Sequence, residues 1–263
     1  MKISNFLLFI SVFTILSCKK NTDDAQTVFS PVSIDQALLQ NNLKVDGNIS
    51  ITSSNFEYNK IPSQIDIQGF FHDATGKNIK IEDMNMNGYT VLEQSNGFYY
   101  QHFMGSSDDG KIATTRLIGK DIDVVFNSSI LGNINTSVYA PQYVQSKIDN
   151  LFGGVVLKNE ALSISWIPDS KGTKVAVIVF YNGKAYPNKG NNLPEETIST
   201  YKLLDDADGR VRFSAAELAK FPTGGSIRFF VGRATQNVVS TSTGKKVAIT
   251  CLSHSFSDDY ELK

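Results

Sequence analysis

Along most of the chain, apolar residues come in short alternating groups rather than at helical three-four spacing. A period of two sends one side of a strand into a core and the other into water. Gln64-Ile65-Asp66-Ile67-Gln68-Gly69-Phe70 is the clearest such run, and the turn His72-Asp73-Ala74-Thr75-Gly76-Lys77 parts it from Ile79-Lys80-Ile81. Met84-Asn85-Met86-Asn87-Gly88-Tyr89 then carries an Asn-Gly hairpin signal. The same pattern predicts strands over Phe98 to Phe103, Ile112 to Ile118, Asp121 to Phe126 and Ile134 to Tyr139. Turns at intervals of about 8 to 12 residues predict a β-sandwich over 45–145.

A second body is predicted over 146–263. Leu162-Ser163-Ile164-Ser165-Trp166-Ile167-Pro168, followed by Lys174-Val175-Ala176-Val177-Ile178-Val179-Phe180-Tyr181, resembles the second and third strands of a fibronectin type III or immunoglobulin-like domain. Leu162, Ile164 and Trp166 share one face, so the single tryptophan is expected between the sheets as a packing residue. Downstream, Asp208 to Phe213, Glu217 to Gly225 and Ser226 to Arg233 read as strand, short turn or helix, and strand. That pattern resembles the C-terminal domains of uncharacterised Bacteroidetes surface lipoproteins. The resemblance implies an architecture and a cell-surface setting, and no ligand. A clear tyrosine corner is missing, which separates the domain from fibronectin type III. The fold class expected is all-β, with two tandem immunoglobulin-like β-sandwich domains.

The start of the chain is different. Lys2 precedes an apolar run of about a dozen residues, Phe6 to Leu16, and a small residue, Ser17, stands before Cys18. The run is too short to span a bilayer, which takes about 20 apolar residues. Ile15-Leu16-Ser17-Cys18 resembles the lipobox of bacterial lipoproteins, which implies a signal peptide over 1–17 and a lipid on the Cys18 sulfur. Acyl chains contribute roughly 0.8 kcal/mol per buried methylene, against about 1 kcal/mol each for Lys19 and Lys20 at an anionic surface. The lipid would therefore set the location, and the membrane is the first expected partner. Lys19-Lys20-Asn21-Thr22-Asp23-Asp24 is similar to the export signal of Bacteroidetes surface lipoproteins, which implies outer-membrane anchoring with outward display. The stretch 18–44 reads as lipidated cysteine and flexible tether, with a root-mean-square span of roughly 25 to 30 Å. Within it, Ser33-Ile34-Asp35-Gln36 is a Ser-x-x-Gln box that predicts a short helix docked at the edge of the first domain.

The 263 residues carry a formal charge of −1 and a pI near 6.3, with no broad basic field, so nucleic acid is not an expected partner. Once Cys18 is acylated, Cys251 has no partner, and it is expected to be a small buried hydrophobe. Asp205-Asp206-Ala207-Asp208-Gly209 fails the EF-hand register and reads as a hairpin turn. His72, His102 and His254 show no zinc spacing, and Ser242-Thr243-Gly244-Lys245 reads as part of a hairpin. Asp121 and Asp123 read as solvated charge, and Asp108-Asp109-Gly110 as a loop. No catalytic residue, metal site or cofactor is expected. In Gly97-Phe98-Tyr99-Tyr100-Gln101-His102-Phe103, Tyr99 and Phe103 share one face while Tyr100 and His102 share the other. One set must point away from the core, so Tyr99 and Tyr100 are the candidate ligand-binding pair. The expected function is a non-enzymatic binding or structural module with a glycan or an envelope protein as partner. A hydrolase with an inter-domain site is the alternative from another class.

Overall fold

A computed structural model describes residues 26–28, 32–40, 43–56, 61–149, 151, 153–172, 174–183 and 197–263. Cys18, the apolar run before it and the Lys19 to Asp24 motif lie outside the described residues. The chain enters with β1 (Gln26–Val28) and helix α1 (Ile34–Leu38). Then come β2 (Gly47–Phe56), β3 (Gln64–Phe71), β4 (Asp83–Met86), β5 (Tyr89–Thr90), β6 (Glu93–Ser95) and β7 (Phe98–Met104). Helix α2 (Asp108–Leu117) leads to β8 (Lys120–Asn127), β9 (Ile134–Ala140), β10 (Ser146–Ile148) and β11 (Val155–Val156). β12 (Leu162–Trp166), β13 (Lys174–Asn182), β14 (Thr197–Asp205) and β15 (Arg210–Phe213) follow. Helix α3 (Ala215–Leu218), β16 (Ser226–Ser240), β17 (Lys246–Phe256) and β18 (Tyr260–Leu262) end the chain. The protein is all-β.

One long sheet, in the order β1-β14-β13-β16-β17-β2-β3-β7-β6, forms the backbone of the molecule. Its central join is β17 on β2, a parallel pair running from Val247↔Gly47 to Phe256↔Phe56. Strands from both sides of the 145/146 boundary thus share a single sheet. Two small sheets, β5-β4-β8-β9 and β10-β12-β15, lie against the long one and enclose two cores. The first core gathers Ile51, Ile67, Met84, Ile122, Phe126 and Leu117, and takes Val247, Ile249 and Cys251 from β17. The second gathers Trp166, Val177, Val211, Phe213, Phe229 and Leu262. β12 and β13 fall in opposite sheets of this second sandwich, with Trp166 between them, as its alternation predicts.

Four expectations are corrected. Ile112 to Ile118 belongs to helix α2 and its C-cap instead of a strand, because Ser107 caps it by accepting from the Gly110 amide at 3.0 Å and Asp108 and Asp109 suit the positive N-terminal dipole. Gly110, Ala113 and Leu117 form its buried stripe, and Thr114 and Thr115 return their hydroxyls to the carbonyls of Gly110 and Lys111. Helix α1 forms with its capping box intact, but it docks on β13 and β16 of the second body. There Gly232 lets it approach, since a Cβ at that position would stand 2.4 Å from Ile34. The range expected as free tether holds both α1 and β1, and β1 pairs with the β14 edge through Gln26↔Tyr201 to Val28↔Ser199. Finally, Asp206–Asp208 is a single 3₁₀ turn closed by Gly209 at φ 62°, but it links β14 to β15 across two sheets and makes no hairpin. The Asn-Gly hairpin does form, with Asn87 and Gly88 at φ 45° and 86° between β4 and β5.

Candidate binding face

Because paired residues on neighbouring strands point the same way, the register tells which side chains share the outer face of the long sheet. Across β2, β3 and β7 the outward rows are Asn48-Phe70-Phe98, Ser50-Gln68-Tyr100 and Thr52-Asp66-His102. Four rings of β3 and β7 thereby line up as a tape. Phe70 and Phe98 stack at 4.5 Å between centroids, Phe98 and Tyr100 at 5.9 Å, and Tyr100 and His102 at 6.4 Å. Interplanar angles of 27°, 18° and 19° keep the ring planes roughly parallel, so neighbouring rings lean on one another as a stack. Phe70 is 48% exposed although no core residue needs it there.

Asp66 fixes the polar end of the tape. One of its carboxylate oxygens accepts the Tyr100 hydroxyl at 2.7 Å and lies 2.8 Å from Nδ1 of His102, while the other accepts from Gln64 at 3.2 Å. That hydrogen bond pushes the Tyr100 phenol above its ordinary range. The two aromatic neighbours of β7 part as alternation requires: Tyr100 faces out, whereas Tyr99 is 3% exposed. The Tyr99 hydroxyl donates to the Ile81 carbonyl at 2.7 Å and accepts from the Ile81 amide at 2.8 Å. Tyr99 is therefore a core residue that pins the segment before β4, and only Tyr100 of the candidate pair reaches the surface. Phe70 and Phe98 complete the site, and the same alternation along β3 and β7 gives their outward parity.

A second aromatic group sits on the outer face around the β17–β2 join. Phe56 and Phe256 lie 4.3 Å apart, Phe230 and Phe256 6.3 Å, and Phe180 and Phe230 6.4 Å. Short polar side chains, Ser50, Thr52, Gln64 and Gln68 among them, fill the sheet between the two groups.

On the inner face, the place where the two cores meet is charged but closed. Arg233 of β16 is 1% exposed and stands 3.3 Å from Asp206 and 3.8 Å from Asp169. Its other terminal nitrogen donates to the Ile167 carbonyl at 2.7 Å. Asp206 accepts from the Trp166 indole at 2.9 Å and from the Asp169 amide at 3.0 Å. Asp169 accepts the Tyr139 hydroxyl at 2.7 Å and the Gln142 amide at 2.8 Å, so the cluster bolts β9 of the first body to the second. Burial pushes the Asp206 carboxyl up and the Arg233 guanidinium down, and each group's charge opposes the other's shift. Burial and then Asp169 drive the Tyr139 phenol far above its usual range. The carboxylates converge at the seam, but a guanidinium occupies the space between them and solvent does not reach it.

The remaining candidates have structural surroundings. Cys251 is buried in the first core, and burial pushes its thiol up to about 12. The Ser242 to Lys245 turn joins β16 to β17 and is tied to the loop before β9, where Ser242 accepts from the Asn133 amide at 2.9 Å. Asp121 is exposed and pairs with Lys171 at 2.9 Å. Among the described residues no group of three or more His, Cys, Asp and Glu side chains is placed to hold a metal ion. No described helix is long and apolar enough to cross a membrane.

No protein-family model matches the chain, and no curated protein matches it. Among solved structures it is similar to Escherichia coli alpha-2-macroglobulin activated by porcine elastase, at 12% identity and a TM-score of 0.19. That match covers 77% of this chain and only 19% of the other. It is also similar to murine CEACAM1b, at 8% identity and a TM-score of 0.19, over 82% of this chain and 98% of that one. Neither likeness is close enough to carry a function across.

Proposed function

We propose that the protein is a lipid-anchored binding module of the cell envelope that holds a glycan on the outer face of its long sheet. The observation that supports this reading is the stacked tape of Phe70, Phe98, Tyr100 and His102. A contiguous run of partly exposed rings on the outer face of a sheet, away from both cores, is an apolar patch of the kind that marks binding sites. The exposed parts of the stacked rings present apolar surface against which the C–H face of a sugar can lie, and the neighbouring hydroxyl, amide and carboxylate groups can answer sugar hydroxyls. The immunoglobulin-like relation of the second sandwich belongs to the same proposal: it is a scaffold that carries the site without contributing rings to the tape.

The anchor shapes how that tape would be presented. With β1 paired to β14, the distance from Cys18 to Gln26 is at most about 28 Å at full extension. The β14 edge of the long sheet would then stay near the headgroups. The tape, on strands at the opposite end of the sheet order, would stand away from them.

Two experiments test the reading separately. Replacing Cys18 with alanine should move the protein from the membrane fraction to the soluble one, and retention would refute the anchor. Affinity electrophoresis of that soluble variant through gels holding a panel of polysaccharides should show retardation by at least one of them, lost in Phe98→Ala/Tyr100→Ala. Equal mobility of the double variant and its parent in every gel would refute the glycan face.

A further inference from the structure

The turn between β4 and β5 does more than reverse the chain. The Asn87 side chain donates to the Arg116 carbonyl at 2.7 Å and accepts from the Asp123 amide at 2.7 Å, and the Asn87 amide donates to the Asp123 carbonyl at 3.0 Å. One residue thereby ties the last turn of α2 to β8. Asn85 braces the turn by accepting from the Gly88 amide at 2.9 Å. Around this knot lies an open hollow of about 640 Å³, within the range of small-molecule sites, and Arg116, Lys120, Asp123 and Asn85 are among the residues that line it.

Arg116 is held there without an ionic partner. Its guanidinium lies over the Tyr89 ring, 5.5 Å from the centroid, and Phe103 meets that ring edge-on at 5.0 Å. Lys80 and Lys111 of the same body are answered by Glu93 at 2.6 Å and Asp108 at 3.1 Å. Among the described residues Arg116 and Lys120 enter no ion pair, and neither does Asp123. The helix dipole favours any cation in the last turn of α2. It does not account for the stack on Tyr89, or for Lys120 in the same hollow.

A guanidinium is a planar fork of donors that fits a carboxylate through two parallel hydrogen bonds, and stacking on a ring leaves its edge free to make them. Two cations and one carboxylate give the hollow one positive charge in excess. A ligand with a single negative charge neutralises it, whereas an amino-acid zwitterion does not. Asp123 repels the second charge of a phosphate or sulfate dianion, but it accepts hydroxyls, and the Asn85 side-chain amide donates to them.

We propose that this hollow binds a hydroxylated monocarboxylate, a uronic acid, with the carboxylate on Arg116 and Lys120 and the hydroxyls on Asp123 and Asn85. The site is built from α2, β8 and the β4–β5 turn, which contribute no ring to the aromatic tape, and it stands whether or not the tape holds a glycan.

Galacturonate, galactose, acetate and glycine are the probes. Titrated into the isotope-labelled Cys18→Ala protein at neutral pH and constant ionic strength, galacturonate should shift the Gly88 amide, the Asn85 side-chain amide and the Arg116 guanidinium signals saturably. Galactose, which lacks the charge, and acetate, which lacks the hydroxyls, should each bind at least about tenfold more weakly, the worth of one charge-assisted hydrogen bond. Arg116→Gln should bring galacturonate down to the level of galactose, while Arg116→Lys, which keeps the charge without the fork, should retain part of the difference. Asp123→Ala should narrow the gap between galacturonate and acetate. Lys111→Ala, which removes a cation outside the hollow, and Phe98→Ala/Tyr100→Ala should leave the affinities unchanged. Absence of saturable shifts at these signals would overturn the proposal, as would equal affinity for galactose or acetate, or tighter binding of glycine.

Discussion

The two faces of the long sheet are made by the same strands and have opposite chemistry. On β17 the inward row runs Val247, Ile249, Cys251 and then Ser253 and Ser255, while the outward row holds Leu252, His254 and Phe256. Inward, apolar residues fill two cores, and the polar ones fall at the seam between them. There Ser253 accepts from the Val144 amide at 3.0 Å and the hydroxyls of Ser146 and Ser255 meet. Outward, aromatic rings lie on a surface that α1 covers in part. A large side chain inside raises stability through burial, and the same kind of side chain outside gains little by remaining there. The contrast separates residues that hold the fold from residues free to meet a ligand.

The comparison breaks most sharply at Arg233. Its removal leaves Asp169 and Asp206 buried without their cation, a change that costs about 3–5 kcal/mol. Urea denaturation should show that loss for Arg233→Ala, against a change within about 0.5 kcal/mol for Lys111→Ala, whose pair with Asp108 at 3.1 Å is exposed. An Arg233→Ala protein with unaltered stability would mean that the seam does not bind the two cores together. Next in size is the pair of neighbours Ile67 and Gln68 on β3. Ile67→Ala opens a cavity in the first core and should cost about 2–5 kcal/mol. Gln68→Ala, on the opposite face, should fall within about 0.5 kcal/mol and alter glycan retardation instead.

The alternation that separates these faces was legible in the sequence wherever apolar residues marked the inner side. β3, β7, β8, β9, β12 and β13 all lie where that pattern predicts them. β2 was missed because its inward row turns from Ile49 and Ile51 to Ser53 and Asn55 as it passes the seam, so hydrophobic periodicity fails halfway along it. Its role as the partner of β17 is a contact between opposite ends of the chain, which no local pattern encodes. α2 was misread because Ile112, Thr114 and Thr115 favour strands on propensity alone, whereas the Ser107 cap and the buried stripe decide the matter. The outward parity of Tyr100 and His102 was legible, but the tape was not, since Phe70 reaches it only through the β3–β7 register.

A smaller effect concerns the helix that covers part of the outer face. Ser33 accepts from the Gln36 amide at 3.3 Å and its own amide donates to the Gln36 side chain at 3.0 Å. Ser33→Ala removes one half of that box and should cost about 1 kcal/mol, confined to α1. Hydrogen exchange at the amides of Ala37 and Leu39, which bond to the Ser33 and Asp35 carbonyls, should quicken while β17 amides keep their protection. Uniform loss of protection would instead make α1 part of the sheet's cooperative unit.

The smallest change separates His254 from the rest by its response to acid. In the folded protein burial holds its pKa below the ordinary 6.5, and the Asp35 carboxylate facing it from α1 opposes the shift only in part. Above pH 6.5 the ring is neutral both folded and unfolded, so it adds no pH dependence. As pH falls through 6.5 the unfolded chain takes up a proton that the folded one refuses, and stability declines until the depressed folded pKa is reached. Subtracting the stability of His254→Phe from that of the parent at each pH cancels the other titrating groups. The difference should be flat above pH 6.5 and fall below it. A difference that stays flat down to pH 5 would mean that the imidazole takes up its proton as readily in the fold as in water.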